Sequence, residues 1–222
     1  MRGFDIKQIP MRSFQISGLT AKWGIGGGRS PIWDNNLIGR WDARSFPDGA
    51  LATIPNTATM ADKAPDLTVT GATMASGTLQ FDGVDDYASS SAFAFPERFT
   101  VFWDIDWLGS KYISAGILHS PDLFLYNFAP SREIRCFIKS TTSGYQIHNT
   151  DVGLSTNGNI YAPDGSVTPF GGTIGTSTGN APLFIARTGA NYTQLGFRQL
   201  LIFNKELSQA EVNDVLRVMF PA

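Results

Sequence analysis

The chain has 222 residues and a mass of 24.1 kDa, enough for one large domain or a domain with an appended arm. Charged residues make up 16% of it and the formal net charge is −2. A chain without a basic surplus does not take nucleic acid as its main partner. A single cysteine, Cys136, excludes an internal disulfide, and uninterrupted apolar runs of at most four residues exclude a membrane-inserted helix and a secretory h-region.

Residues 1–30 read as an N-terminal arm. The stretch shows no sustained helical period and ends in Gly24-Ile25-Gly26-Gly27-Gly28, a flexible run. Phe4, Ile6, Ile9, Met11, Phe14 and Ile16 are too apolar for a purely solvating tail. Phe4, Ile6, Ile9, Phe14 and Ile16 are therefore expected to anchor the arm on neighbouring subunits.

Residues 31–222 follow a different pattern, with many short runs rich in β-branched and aromatic residues. Strands are predicted at 37–43, 66–69, 78–81, 87–91, 99–107, 112–119, 123–127, 133–139, 159–162, 183–188 and 195–203. Turn signals separate them at Asp48-Gly49, Asp82-Gly83, Asn157-Gly158, Asp164-Gly165 and Asn180 with Pro182. Short strands at this spacing predict a sandwich rather than βαβ units. The Gly-, Ser- and Thr-rich stretch 154–180 is expected to hold mobile loops. One helix stands out near the end. Ser208 and Glu211 form a capping box, and Val212, Val215, Leu216 and Met219 follow as an apolar stripe before Pro221.

Three stretches resemble one superfamily. Leu79-Gln80-Phe81-Asp82-Gly83-Val84-Asp85-Asp86-Tyr87 is similar to a strand–turn–strand of the laminin-G-like, concanavalin A-like lectin/glucanase superfamily. Phe99-Thr100-Val101-Phe102-Trp103 follows at the family's distance. Leu183-Phe184-Ile185, Gly196-Phe197, 201–208 and Glu211-Val212 resemble its closing strands and capped helix, with 37–42 as the opening strand. The resemblance implies an all-β, two-sheet jelly-roll sandwich spanning about residues 37–216. It departs from the family at Arg198, where glycine is usual, and does not extend cleanly over 120–179. A shared sandwich says little about function.

Candidate chemistry starts with Asp104 and Asp106, which share one face of a strand. They resemble the second part of the E-x-D-x-E strand of retaining β-glucanases. Such an enzyme needs two carboxyls about 5–5.5 Å apart, but the first acidic position is Phe102 here. The alternative is a strand with alternate Asp at a solvent face, and the expectation is no enzyme. Asp85 and Asp86 offer oxygen ligands for calcium, which takes about six to eight; turn capping is the competing role. With two histidines and no H-E-x-x-H or C-x-x-C, no zinc site is expected. Cys136 reads as a small buried residue. For glycan binding, sugar faces stack on aromatic rings, and Tyr145, Tyr161, Tyr192 and Trp107 are the candidates.

The sequence thus predicts a non-enzymatic virion structural protein, such as a bacteriophage head-decoration, fibre or tail component. It would be made in the cytoplasm and displayed on the particle surface, because a lectin-like sandwich without a secretory h-region can reach the outside that way. The expected partners are other virion subunits through the arm, further copies of the chain, and host surface glycans. A stand-alone carbohydrate-binding lectin and a glucanase-type glycoside hydrolase are the alternatives.

Overall fold

The computed structural model describes residues 32–108, 116–119, 122–128, 133–138, 145–147, 151–169 and 179–221. The arm residues Phe4, Ile6, Ile9, Phe14 and Ile16 lie outside them. Two large antiparallel sheets account for most of what is described, as the short β-branched and aromatic runs predict.

The first sheet has nine strands among the described residues. In order they are Val167–Pro169, Asn159–Tyr161, Gly153–Ser155, Thr100–Trp107, Gln194–Phe203, Thr78–Asp82, Thr73–Ala75 and Gly49–Ala50, while Leu37–Asp42 pairs with the far half of Gln194–Phe203. The second has eight: Tyr145–Ile147, Glu133–Ile138, Leu123–Phe128, Ile117–His119, Phe184–Ile185, Tyr87–Ser89, Leu67–Thr70 and Thr53–Ile54. This is the all-β sandwich that the sequence predicts.

The predicted strand at 159–162 is present as 159–161, and strands at 153–155 and 167–169 join it in the first part of the Gly-, Ser- and Thr-rich stretch 154–180. Asn157-Gly158 and Asp164-Gly165 turn the chain between these strands, while Ser155 and Thr168 lie within them. At Asn157-Gly158 the Gly158 N–H donates to the Ser155 carbonyl at 3.1 Å, and Ser155, Leu154 and Gly153 pair with 159–161. Residues 170–178 of that stretch lie outside the described residues.

The core between the sheets is built by alternation. Leu79, Phe81, Trp103, Val101, Leu195, Phe197, Leu200 and Ile202 from the first sheet meet Leu67, Ala88, Ile117, Leu125, Cys136 and Ile185 from the second. The closing strand Gln194–Phe203 breaks period 2 between Phe197 and Leu200, both of which face this core. A bulge lies there: Phe197 pairs with Ile105 and Gln199 with Asp104, leaving Arg198 as the extra residue. Cys136 is fully buried, and burial pushes its thiol up to about 12, with Asp151 adding to the shift. That thiol is not a nucleophile.

His119 is also in the core. It sits between the rings of Phe93 and Phe95, at centroid distances of 4.8 and 4.7 Å. Its Nε2 lies 3.1 Å from the Phe93 carbonyl, and its Nδ1 lies 3.6 Å from buried Asp122. Burial holds its imidazole below the ordinary range.

The outer face of the first sheet carries the helix Gln209–Met219. Val212, Val215, Leu216 and Met219 pack on Leu37, Phe102, Leu201 and Phe203, and a short helix, Ile32–Asn35, adds Ile32 and Trp33. The helix starts at the capping box: the Glu211 N–H donates to Ser208 Oγ, and the Ser208 N–H to Glu211 Oε2 at 2.8 Å. Lys205 ties down the other Glu211 oxygen at 2.9 Å. No helix among the described residues is long and apolar enough to cross a membrane.

Candidate functional site: an aromatic end of the sandwich

Two places collect polar or aromatic groups that the core does not need. One is the outer face of the first sheet beside the helix. The other is the end of the sandwich where the turn at 82–86 meets the hairpin at 187–192.

On the outer face Asp104 and Asp106 project together, as their spacing requires. The bulge aims Arg198 between them. Arg198 Nε donates to Asp104 Oδ1 at 2.8 Å, Nη2 lies 2.6 Å from the same oxygen, and the guanidinium also grips both Asp106 oxygens. Hydrogen bonds to Arg198 hold the Asp106 carboxyl below its ordinary value of 3.8. The ladder continues sideways. Gln199, fully buried, donates to Asp42, and Arg44 bridges Asp42, Gln199 and the Met219 carbonyl at the helix C-terminus. Burial raises Asp42, but the Arg44 bonds outweigh it and leave its carboxyl below 3.8.

A retaining glycosidase needs one carboxyl as nucleophile and a second as proton donor, both facing the sugar. Here one guanidinium holds both. The departure from the family pattern at Arg198 is thus the residue that turns this strand into a structural ion network.

At the end of the sandwich the chain passes Asp82-Gly83-Val84-Asp85-Asp86-Tyr87. Asp82 Oδ1 accepts the N–H groups of Val84 at 2.7 Å and Asp85 at 3.4 Å, and Asp86 Oδ2 accepts the Asp82 N–H at 3.0 Å. Gly83 has φ 78°, and a Cβ there would stand 2.6 Å from the Gln194 N, so glycine lets the turn lie against the closing strand. One oxygen each of Asp82, Asp85 and Asp86 fall within 4.8 Å of one another. Burial, with Asp82 and Asp85 adding repulsion, raises Asp86. These three carboxylates are the set that could hold a calcium ion. Two of them already spend an oxygen on backbone donors, which is the turn-capping role of the sequence reading, shared between Asp86 and Asp82.

The hairpin comes from Arg187-Thr188 pairing with Asn191-Tyr192. The chain enters it through Ala186, a buried residue at φ 65°. The Ala186 N–H donates to the Gly116 carbonyl at 2.8 Å, and its own carbonyl accepts the Thr193 N–H at 3.0 Å. The Arg187 guanidinium then lies among three rings. Its carbon is 4.6 Å from the Tyr87 centroid, 5.6 Å from Phe184 and 5.7 Å from Tyr192. Tyr87 and Tyr192 are 6.2 Å apart, and all four residues are half-buried. Each cation–ring contact adds about 0.5–1 kcal/mol at an exposed position and more when water is kept away.

Trp107 belongs to the same end. It pairs with Leu195, and its ring presses on Gly116, where a Cβ would stand 2.7 Å from the indole and 2.2 Å from the Leu125 carbonyl oxygen. Only glycine permits that approach, and the same Gly116 carbonyl receives Ala186. Leu108, 54% exposed, follows directly.

The structure thus places Tyr192 against Tyr87, the residue that follows Asp85 and Asp86, while Trp107 packs half-buried against the core between the sheets. Tyr161 is a correction. It is 1% exposed, its ring stacks on Phe102 at 5.7 Å, and its hydroxyl meets Ser155 at 2.8 Å. The polar, Gly-rich stretch around it is a pair of sheet-edge turns, while Tyr161 itself points under the helix. Tyr145 lies on the strand Tyr145–Ile147, and its side chain is outside the described residues. Sequence reasoning did not pick out Arg187, Phe184 and Asp82. It treated 183–188 as one strand, and the strand breaks at Ala186, whose backbone conformation carries no residue signature.

A shallow concavity of about 290 Å³ lies elsewhere, between Pro163–Gly165 and the helix residues Asn213, Leu216 and Arg217. None of the expected site residues lines it.

No protein-family model matches the chain, and no curated protein matches it in sequence. Solved structures do resemble it in shape. A Trypanosoma rangeli sialidase, solved with sialic acid, superposes with a TM-score of 0.59 at 14% identity, over 83% of this chain and 33% of that one. The receptor-binding domain of botulinum neurotoxin D gives 0.61 at 14% identity, over 85% of this chain and 54% of that one. The chain thus spans about a third of the sialidase and about half of the toxin domain. At such identities the similarity is one of fold, and it agrees with the all-β sandwich that the two sheets establish.

Proposed function

We propose that this chain is a non-enzymatic, lectin-like binding domain that recognises carbohydrate at the end formed by Tyr87, Trp107, Phe184, Arg187 and Tyr192. The observation that carries the reading is the half-exposed aromatic group around Arg187, with the acidic turn beside it. A pyranose offers an apolar C–H face to rings and hydroxyls to charged groups, and this end supplies both kinds of partner. The absence of catalysis rests on Arg198, which engages both carboxylates of the one strand that resembles a glucanase. The toxin neighbour is a receptor-binding domain by name, which is compatible with a binding role for this sandwich.

A glycan array tests the proposal. The wild-type chain is expected to bind a subset of glycans and the Tyr87→Ala/Tyr192→Ala variant to lose them at unchanged far-ultraviolet circular dichroism. No binding across a broad panel, with and without calcium, or full retention by the variant, would contradict it.

The setting we propose is a virus particle, in which the apolar arm of residues 1–30 attaches the domain to other subunits and to further copies. It is supported by the arm's composition. Loss of assembly on removing the arm is the expected result, and intact assembly would overturn it.

A further inference from the structure

We infer that Arg187 makes this end selective for a sugar that carries a carboxylate. The inference rests on the carbohydrate-binding reading and specifies its ligand class.

Arg44, Arg198 and Arg217 each pair with an aspartate. Arg187 does not. Its Nε donates to the Gly189 carbonyl at 3.0 Å, and its two terminal nitrogens have no hydrogen-bond or ion-pair partner among the described residues. A guanidinium has five N–H donors in a flat fork, and the matching acceptor is a planar carboxylate. Three rings restrict how the fork can turn, so it is oriented before any ligand arrives. The rings also displace water, which strengthens a charge-assisted hydrogen bond made there.

A further observation falls where the chain enters the hairpin. Ala186, immediately before Arg187, holds a left-handed backbone that a non-glycine residue adopts only when its surroundings enforce it. Its two backbone hydrogen bonds do so, and they fix the point from which Arg187 leaves the core. The acidic turn at the same end repels any anion, a dianion such as a phosphate more than a single carboxylate, and its own carboxylates suit sugar hydroxyls.

The test is calorimetric titration of the full chain with 3′-sialyllactose and methyl glucuronide against lactose and methyl glucoside, with glucose 6-sulfate as a third arm. The acidic sugars are expected to bind about tenfold tighter than their neutral counterparts, because a charge-assisted pair replaces a neutral contact. Arg187→Gln should bring the two classes to parity, and Arg187→Lys should keep only part of the preference, since it retains charge without the fork. If Arg187→Gln fails to fold, the partial loss in Arg187→Lys carries the test. Equal binding of acidic and neutral sugars by the wild type overturns this inference and leaves the binding reading standing. No binding of any sugar overturns both. Binding of the sulfate as tight as that of the carboxylates overturns the choice of carboxylate.

Discussion

Arg198→Met is the most informative perturbation of the scaffold, because it separates a structural from a catalytic role for Asp104 and Asp106. The wild-type guanidinium makes two close contacts to Asp104, at 2.8 and 2.6 Å, and Asp104 is 7% exposed. A hydrogen bond to a charged group contributes about 1.5–3 kcal/mol, and stranding one partner of a buried pair costs about 3–5 kcal/mol. Asp106 is exposed, so its half of the arrangement adds little. Methionine retains part of the arginine's apolar packing. The expected loss is therefore about 3 kcal/mol, which lowers Tm by about 6–12 °C at the usual 2–4 °C per kcal/mol for domains of this size. Urea unfolding with circular dichroism detection reads it, with an unchanged m-value as the control. Adding Asp104→Asn removes the stranded charge, so the double variant should recover about 1–2 kcal/mol. A loss under about 1 kcal/mol in Arg198→Met, or a double variant no more stable than the single, would refute the claim that this network is structural.

Stability should fall with acid in two stages. Burial keeps His119 below its ordinary 6.5, so the unfolded chain takes up that proton first and stability declines as the pH drops below about 6.5. Asp106 and Asp42 sit below 3.8, so their contribution is present above that value and is lost as the pH falls through their lowered folded values. Asp86, raised above 3.8, opposes this with stability that grows as the pH falls. His119→Gln should erase the first stage in a Tm-versus-pH series and leave the second; an unaltered first stage would contradict the assignment. Tyr161→Phe should cost about 1 kcal/mol through the lost Ser155 bond and leave sugar binding unchanged, whereas a binding defect would return Tyr161 to the site. Ala186→Gly should relieve the left-handed backbone and raise stability by up to about 1 kcal/mol, while weakening acidic sugars because Arg187 is less well held. Because Ala186 is fully buried, the lost methyl and the freer unfolded glycine oppose this gain, and a net loss above about 1 kcal/mol would contradict the strain.

Much of the fold was readable in the sequence because its signals are local. The β-branched and aromatic runs 78–81, 99–107 and 195–203, the glycines after Asp82, Asn157 and Asp164, and the Ser208–Glu211 box each act over a few residues, and each reappears in place. The short pairings such as Phe93–Ala94 with Asn180–Ala181 were not readable, since two residues carry no period. Part of the site was legible as residue types: Tyr192 and Trp107 stand in polar or turn-flanking positions, and Asp85 and Asp86 stand in a recognisable turn. Two features hid the rest. Tyr161 shares the polar neighbourhood of Tyr192, and only strand register decides that one ring goes under the helix and the other to the rim. Arg187 acquires its role from a backbone break at Ala186 and from rings supplied by residues 87, 184 and 192, contacts that no local pattern encodes.

The central claim is that this sandwich binds sugar at its aromatic end and performs no chemistry on it. A nitrogen-15 chemical-shift titration of the full chain with 3′-sialyllactose, followed by analysis of the recovered sugar, tests both halves at once. The account predicts saturable shifts confined to amides near Tyr87, Trp107, Phe184, Arg187 and Tyr192, still amides at Asp104 and Asp106, and intact sugar. Shifts centred on Asp104 and Asp106, or cleaved sugar, would contradict it.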